Sequence, residues 1–178
     1  KKKIANLPVF RPEREVAIIE RMCKKNKNLS GFLADNSIAT IWLEIISGCR
    51  ALERKIEISY LGPPGTYSEL AARTLFGHQV ILHPYDSLDE VVRVAEIGKT
   101  DLALIPVENS TEGTVGKSLD LLLKTSLPIS AELSIPIHHL LLRKIDSLDS
   151  IKEIVAHGQS LSQCQNWLDK NLPNIPRV

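Results

Sequence analysis

The run Gly62-Pro-Pro-Gly-Thr-Tyr-Ser68 places three hydroxyl side chains, Thr66, Tyr67 and Ser68, behind a turn rich in glycine and proline. It follows an apolar stretch and opens an amphipathic one, so the turn joins a strand to a helix and its backbone amides favour an anion. The run begins as a phosphate loop does, but that motif has Gly and Lys at its sixth and seventh positions, where this chain has Tyr67 and Ser68. A nucleotide is therefore not the expected anion. Thr66 and Glu69 have the spacing of a capping box, which would close the start of the helix without any ligand. Taken alone, the turn reads equally as a capped helix start or as an anion site.

A second polar cluster, Pro106-Val-Glu108-Asn109-Ser110-Thr111-Glu-Gly113-Thr-Val-Gly116, also follows an apolar strand and precedes a helix. Carboxyl ends of strands in open α/β sheets are where such folds bind ligands, and glycines let the backbone come close. The plainer reading is a loop of turn-forming residues with a solvated Glu108. If both clusters leave parallel strands in the same direction, they are expected to open into one crevice suited to a small anion. Elsewhere, Glu53 lies one turn beyond Cys49, beside an apolar stripe, where an acid needs an exposed helix end or a purpose. Exposure is the simpler explanation, and Arg14 with Glu15 reads most simply as a solvated pair.

The five histidines form no metal site: His138 and His139 point to opposite faces of an extended run, His78 and His83 flank a strand, and His157 has no ligand partner at zinc spacing. Ser68, Ser110 and the cysteines lack an elbow or a base partner, so covalent nucleophilic catalysis is not indicated.

The elements that must position these residues fall into two regions. Between Glu13 and Glu53 the apolar spacing is helical, and from Ile56 onward short apolar runs alternate with amphipathic segments, which sets a boundary near Arg54 and Lys55. Ile38, Ile41, Trp42, Ile45, Cys49 and Leu52 make one helical stripe that Asn36 or Ser37 could cap. Val16, Ile19 and Met22 mark a preceding helix opened by Pro12, with residues 26–31 as the loop between the two. Two helices in about 55 residues bury too little surface to stand alone, so a further helix or a second subunit must cover the stripe. The second region reads as strand 56–61, helix 68–76, strand 79–83, helix 88–97, strand 102–107 and helix 118–124. An extended run 129–142, strand 154–156 and helix 161–169 follow. Strands separated by helices imply a parallel sheet with helices on both faces, and Pro136 marks the extended run as an edge or connection.

Composition narrows the function further. The chain has 178 residues, 43% of them hydrophobic and 24% charged, with a formal net charge of +1, the profile of an ordered globular protein. The only basic run, Lys1 to Lys3, makes no stripe for a phosphate backbone, so nucleic acid is not an expected partner. Cys23, Cys49 and Cys164 are odd in number and set in helical patterns, which suits free thiols in a reducing compartment. No apolar stretch approaches the roughly 18 residues that span a bilayer, and a cytoplasmic location is expected.

Four segments together carry a resemblance. Pro8-Val-Phe-Arg-Pro-Glu-Arg-Glu15 and Ile45-Ile-Ser-Gly-Cys-Arg-Ala-Leu-Glu53 resemble the second and third helices of the all-helical chorismate mutases that are fused to prephenate dehydratases. Gly62-Pro-Pro-Gly-Thr-Tyr-Ser68 and Ile105-Pro-Val-Glu-Asn-Ser110 resemble the dehydratase, and order and spacing match over essentially the whole chain. The resemblance implies a multi-domain α and α/β protein: a partial mutase hairpin over residues 1–54, then a partial two-lobed, periplasmic-binding-protein-like α/β domain over 55–178. It implies chorismate and prephenate as substrates, a homodimer through the mutase helices, and no metal or organic cofactor.

In the mutase part, Lys2 matches the lysine that contacts the ether oxygen and a carboxylate. Glu15 matches the glutamate that accepts from the substrate hydroxyl, and Arg14 the arginine beside it. Cys49 falls where a serine often lies, and Arg11, on the substrate side, stands where some members carry an aspartate. Glu53 matches the donor to the ether oxygen, a glutamine in some members; a glutamate donates only while protonated, so the rearrangement is expected to slow as Glu53 ionises. In the dehydratase part, Thr66, Tyr67 and Ser68 would anchor anions. Glu108 and Asn109 would act near the leaving groups, beside Ser110 and Thr111. Gln159 and Gln163 resemble a stretch of the second lobe, although Gly158 replaces a usual proline. The family's first mutase helix, its Thr-Arg-Phe motif and its regulatory domain have no match in the 178 residues, so activity of this stretch alone is not expected. Two rival readings are a two-lobed module that binds a small anion without turning it over, and a hairpin that serves only dimerisation.

Overall fold

Pro12 takes the first turn of helix α1 (Pro12–Asn28) in the computed structural model, which describes residues 10–110, 113–144 and 147–178. Glu13 and Glu15 lie in the first turn and Lys25 and Lys27 in the last, each sign matching the helix dipole. Helix α1 runs into the expected loop, and the connection to α2 (Asp35–Glu53) is a short turn with Ser30 at φ 53°. The amide of Asn26 donates to the Leu33 carbonyl at 2.8 Å and braces that turn. Ala34, rather than Asn36 or Ser37, occupies the cap position of α2 and makes no side-chain cap bond. The helix starts earlier because Asp35, an acid at the positive end of the dipole, pairs with Lys27 at 2.6 Å.

Only part of the anticipated apolar stripe of α2 is covered. Ile38 is buried, whereas Ile41, Ile45 and Leu52 are exposed. The face of α2 that packs inward carries Ser47 and Arg50, and it meets the sheet region that follows. Ser47 Oγ accepts from the Gln79 amide at 3.1 Å, and the Glu44 carboxylate lies 2.7 Å from Nδ1 of His78.

The strands β1 (Glu57–Leu61), β2 (Ile81–Tyr85) and β3 (Leu102–Leu104) form a parallel sheet in the order β2-β1-β3, with α3 (Tyr67–Phe76) and α4 (Leu88–Glu96) as the crossovers. Ile58 is paired with Leu82 and Leu102 and joins Ile56, Phe76, Leu75 and Phe10 in one core. Its neighbour Ser59 points to the other face, as alternation requires, with Oγ 2.8 Å from the Val91 carbonyl of α4. Thr100 donates to the same Ser59 oxygen. Helices therefore cover both faces, the doubly wound arrangement expected from the βαβ pattern.

Strand β2 begins two residues later than its apolar residues suggest, because the amides of His78 and Gln79 go to Glu44 and Ser47 of α2 instead of the sheet. It contains His83, whose Nε2 lies 2.8 Å from Glu57, and it tolerates Pro84 as an edge strand. The expected strand 102–107 stops at Leu104, and the polar cluster after it forms an antiparallel pair, β4 (Glu108–Asn109) with β5 (Gly113–Thr114). Helix α5 (Gly116–Lys124) follows. The run 129–142 forms no strand. Helix α6 (Gly158–Asn171) is longer than expected, capped by Nδ1 of His157 accepting from the Gln159 amide. The expected strand 154–156 reduces to a parallel bridge, Ile154 to Arg177, above a small core of Ile154, Leu168 and Leu172.

The described residues divide into two compact units. One holds the chain up to Val107 with Val115–Ile135, and the other holds Glu108–Thr114 and Pro136–Val178. The α1–α2 hairpin and the three-stranded sheet thus share a unit. Among the described residues no helix is long and apolar enough to cross a membrane.

Gly77, the residue that caps the end of α3, lies close against α2. Its φ is +74°, and an added Cβ would lie 2.6 Å from the Cβ of Ser47. Gly65 has a similar φ of +86° but nothing within 4 Å, so it isolates the backbone penalty of about 1–2 kcal/mol. Gly77→Ala is expected to lower the urea midpoint well beyond Gly65→Ala; equal losses would mean that the close approach does not exist.

Candidate functional site

Where β1 ends, the Gly62 amide donates to the Tyr85 carbonyl at 2.8 Å, which carries the β1–β2 pairing one step into the turn. A Cβ at Gly62 would meet Pro84 at 3.0 Å, so the glycine serves a close approach of the two strand ends. Thr66 occupies the cap position of α3, but its hydroxyl donates back to the Leu61 carbonyl at 3.3 Å and gives the helix amides no cap. Glu69 completes the other half of the capping box one residue further back, accepting from the Gly65 amide at 2.8 Å. The same carboxylate takes two bonds from Arg73, at 2.7 and 3.0 Å, and lies 3.4 Å from the Tyr60 hydroxyl. The turn is therefore held by Glu69, and of the three hydroxyl residues that follow it Tyr67 is exposed while Thr66 and Ser68 are half-buried.

The charges follow from these contacts. The Gly65 amide, then the Arg73 guanidinium, hold the Glu69 carboxyl below the usual range. Burial, then the neighbouring Glu69 charge, push the Tyr60 phenol up.

The second cluster is a hairpin rather than an open loop. Glu108 pairs with Thr114 and Asn109 with Gly113, whose φ of +76° suits glycine. At its base the Val115 amide donates to the Val107 carbonyl at 2.9 Å, and Ser118 Oγ donates to the Pro106 carbonyl. Glu108 and Ser110 are exposed and Asn109 is half-buried. Thr66, Tyr67 and Ser68 belong to the first compact unit, and Glu108, Asn109 and Ser110 to the second. Lys2 and Thr111 lie outside the described residues.

The α1–α2 hairpin departs most from expectation. Arg14 is exposed, and Glu15 is not its solvated partner: it is buried and bound through both oxygens to Nη1 of Arg50, at 3.0 and 3.1 Å. Burial pushes the Glu15 carboxyl above its usual range, and the Arg50 charge and hydrogen bond pull against that. Arg11 occupies the cap position of α1, while Cys49 and Glu53 are exposed, one turn apart on α2. Among the described residues, no three His, Cys, Asp or Glu side chains converge as a metal site.

These two segments match known families in chain order. The family model for prephenate dehydratase covers residues 58–178, and that for chorismate mutase type II covers residues 1–54. The chain belongs to the prephenate dehydratase family, with a chorismate mutase type II segment ahead of it. It is 43% identical over 171 residues to the bifunctional chorismate mutase/prephenate dehydratase of Neisseria gonorrhoeae, covering 96% of this chain and 46% of that protein. The bifunctional protein of Pseudomonas aeruginosa is 42% identical over 173 residues, 96% of this chain and 47% of the relative. The chain thus spans about half the length of the curated relatives it matches. A crystal structure of prephenate dehydratase from Arthrobacter aurescens in complex with L-Phe superposes with a TM-score of 0.51 at 27% identity, over 69% of this chain and 42% of that one. The strand-end turn and the β4–β5 hairpin both lie within the dehydratase segment.

Sequence reasoning passed over Arg50, Ser47 and Asp101. Asp101 binds both Nη atoms of Arg54, at 2.7 and 2.9 Å, and accepts from the Glu57 amide. The available signal was a polar face on α2, opposite its stripe, at Ser47, Arg50 and Arg54; a purely solvated helix face would explain it equally well.

Glu69 yields a pH prediction. A carboxyl held low when folded binds fewer protons than in the unfolded chain, so its contribution is complete above the ordinary glutamate value of about 4.3 and is lost as pH falls through the depressed one. Glu69→Gln is expected to lower the urea midpoint at pH 7 and to flatten its decline below about pH 4.3. An unchanged acid slope in the variant would show that the Gly65 and Arg73 contacts do not form.

Proposed function

We propose that the protein carries chorismate to prephenate and prephenate to phenylpyruvate, in the cytoplasm, as part of phenylalanine biosynthesis. Residues 1–54 belong to the mutase part and residues 55–178 to the dehydratase part, and neither is expected to turn over substrate as this stretch alone. The observation that carries this reading is the match of both family models in order along one chain, 96% of which aligns at 43% identity with a bifunctional relative.

The two reactions ask different things of the protein. The first is a pericyclic rearrangement, so the protein need only hold a compact conformer and stabilise charge on the ether oxygen. Lys2 and Glu53 are assigned to that oxygen, and Arg11, Arg14, Glu15 and Cys49 to the rest of the substrate. The exposed Ile41, Ile45 and Leu52 on α2 support a homodimer closed through the mutase helices. In the second reaction the ring carboxylate leaves as carbon dioxide and its bonding electrons enter the ring. The departing hydroxyl leaves with a proton as water. Aromatisation drives the step, so the requirement is a proton or hydrogen bond for that hydroxyl and anchors for the carboxylates. Thr66, Tyr67 and Ser68 are assigned as anchors, and Glu108, Asn109, Ser110 and Thr111 to the leaving-group side.

The test is incubation of the full-length protein, not this stretch alone, with prephenate at neutral pH, reading phenylpyruvate by its absorbance in alkali. Formation of phenylpyruvate is expected, and prephenate bound but unconverted would favour a small-anion binding module instead. Ser68→Ala and Asn109→Ala should each lower kcat/KM by about 10- to 100-fold, the loss of one hydrogen bond to a charged group. Kinetics unchanged in both variants would remove these residues from the site.

A further inference from the structure

Arg50 stands between a side chain assigned to the mutase and a helix of the dehydratase segment. Its Nη1 donates to both oxygens of Glu15, and its Nη2 donates to the carbonyl of Phe76, the last residue of α3. The Phe10 ring lies against the guanidinium, 5.7 Å from Cζ to centroid. Arg50, Glu15 and Phe76 are 8%, 9% and 4% exposed, so this arginine has no room to swing away. The Phe76 carbonyl belongs to the end of α3, where carbonyls lack helical partners and the dipole is negative, a natural anchor for a cation. The seat of the Glu15 carboxylate is thus set by α3, an element of the other catalytic segment, as well as by its own helix.

We propose that Arg50 is a positioning residue for the chorismate rearrangement, anchored on the last carbonyl of α3 and holding the Glu15 carboxylate oriented and charged to accept the substrate hydroxyl. The inference rests on the reading of Glu15 given above. Each carboxylate oxygen carries two lone pairs, so the bonds from Arg50 and the Arg11 amide still leave an acceptor site for substrate. The charged group that acts on Glu15 from α2 is Arg50; its own helix adds the Arg11 amide, and α3 presents a carbonyl to Arg50. With burial opposing ionisation, removal of the guanidinium would leave Glu15 protonated at higher pH, and a protonated acid is a poorer acceptor.

The test compares wild type, Arg50→Gln and Arg50→Lys by carbon-13 NMR titration of the Glu15 carboxyl and by the pH profile of chorismate consumption. Arg50→Gln keeps a donor for the Phe76 carbonyl but loses the charge, and it should raise the Glu15 midpoint and the acid limb of kcat/KM together by about 1–3 pH units. At neutral pH, kcat should fall more than KM rises. Arg50→Lys retains the charge and should shift both by less. A Glu15 midpoint that does not move in Arg50→Gln overturns the inference, as does a uniform loss of activity with an unmoved acid limb. A moved midpoint in a protein whose wild type never consumes chorismate supports the hold on Glu15 and overturns the mutase reading alone. Should Arg50→Gln fail to fold, Glu15→Gln decides: it should abolish the acid limb, and a retained limb contradicts the proposal.

Discussion

A guanidinium removed from water costs several kcal/mol unless its donors meet acceptors, and a carboxylate beside it carries a similar cost. In this protein the two solve each other's problem inside the packing of α1, α2 and α3, where Arg50 bridges Glu15 and the Phe76 carbonyl. Removal of either partner would strand the other. That constraint ties the hairpin to the end of α3, where the Gly77–Ser47 approach leaves no room for a further side chain. Among the described residues no buried side-chain nitrogen or oxygen is left without a partner, so the polar face of α2 is fully matched.

The short connection between α2 and β1 is tied down in the same way. Arg54 and the Glu57 amide converge on Asp101 just ahead of β3, so the change from helical to α/β grammar falls at a clasp and not in a free linker. From that clasp β1 runs through the middle of the sheet to the Gly62 turn, which Glu69 holds from α3. A chain of contacts therefore leads from the hairpin, through Phe76 and the length of α3, to the residues assigned to bind prephenate. The mutase-type segment and the first part of the dehydratase segment share a scaffold as well as a polypeptide.

Much of this was legible in the residues because it rests on local rules. Proline at a helix start, the short apolar run of β1 and the glycine-proline turn are read over a few positions, and they located α1, β1, α3 and the first polar cluster. What escaped reading depends on partners far along the chain. Glu15 and Arg50 are 35 residues apart, and Gln79 leaves the sheet for Ser47, 32 residues away. Neither pairing has a signature in local periodicity. The run 129–142 looks extended by composition, yet a strand needs a neighbouring strand, and none is formed along it among the described residues. The second cluster was recognised by its polar content, whereas its hairpin form turns on Gly113 at positive φ and on pairing across residues that read equally well as a loop. Glu15 was singled out by resemblance; its burial came from packing.

The Arg50 contacts make hairpin and sheet one cooperative body. Native-state hydrogen exchange measures this most directly, by comparing the opening free energies of the α2 amides around Ser47 and Arg50 with those of Ile58 to Tyr60 in β1. One shared value, falling together in mild denaturant, is the predicted result. Amides of α2 that open at much lower free energy than β1 would contradict it and make the hairpin a separate body.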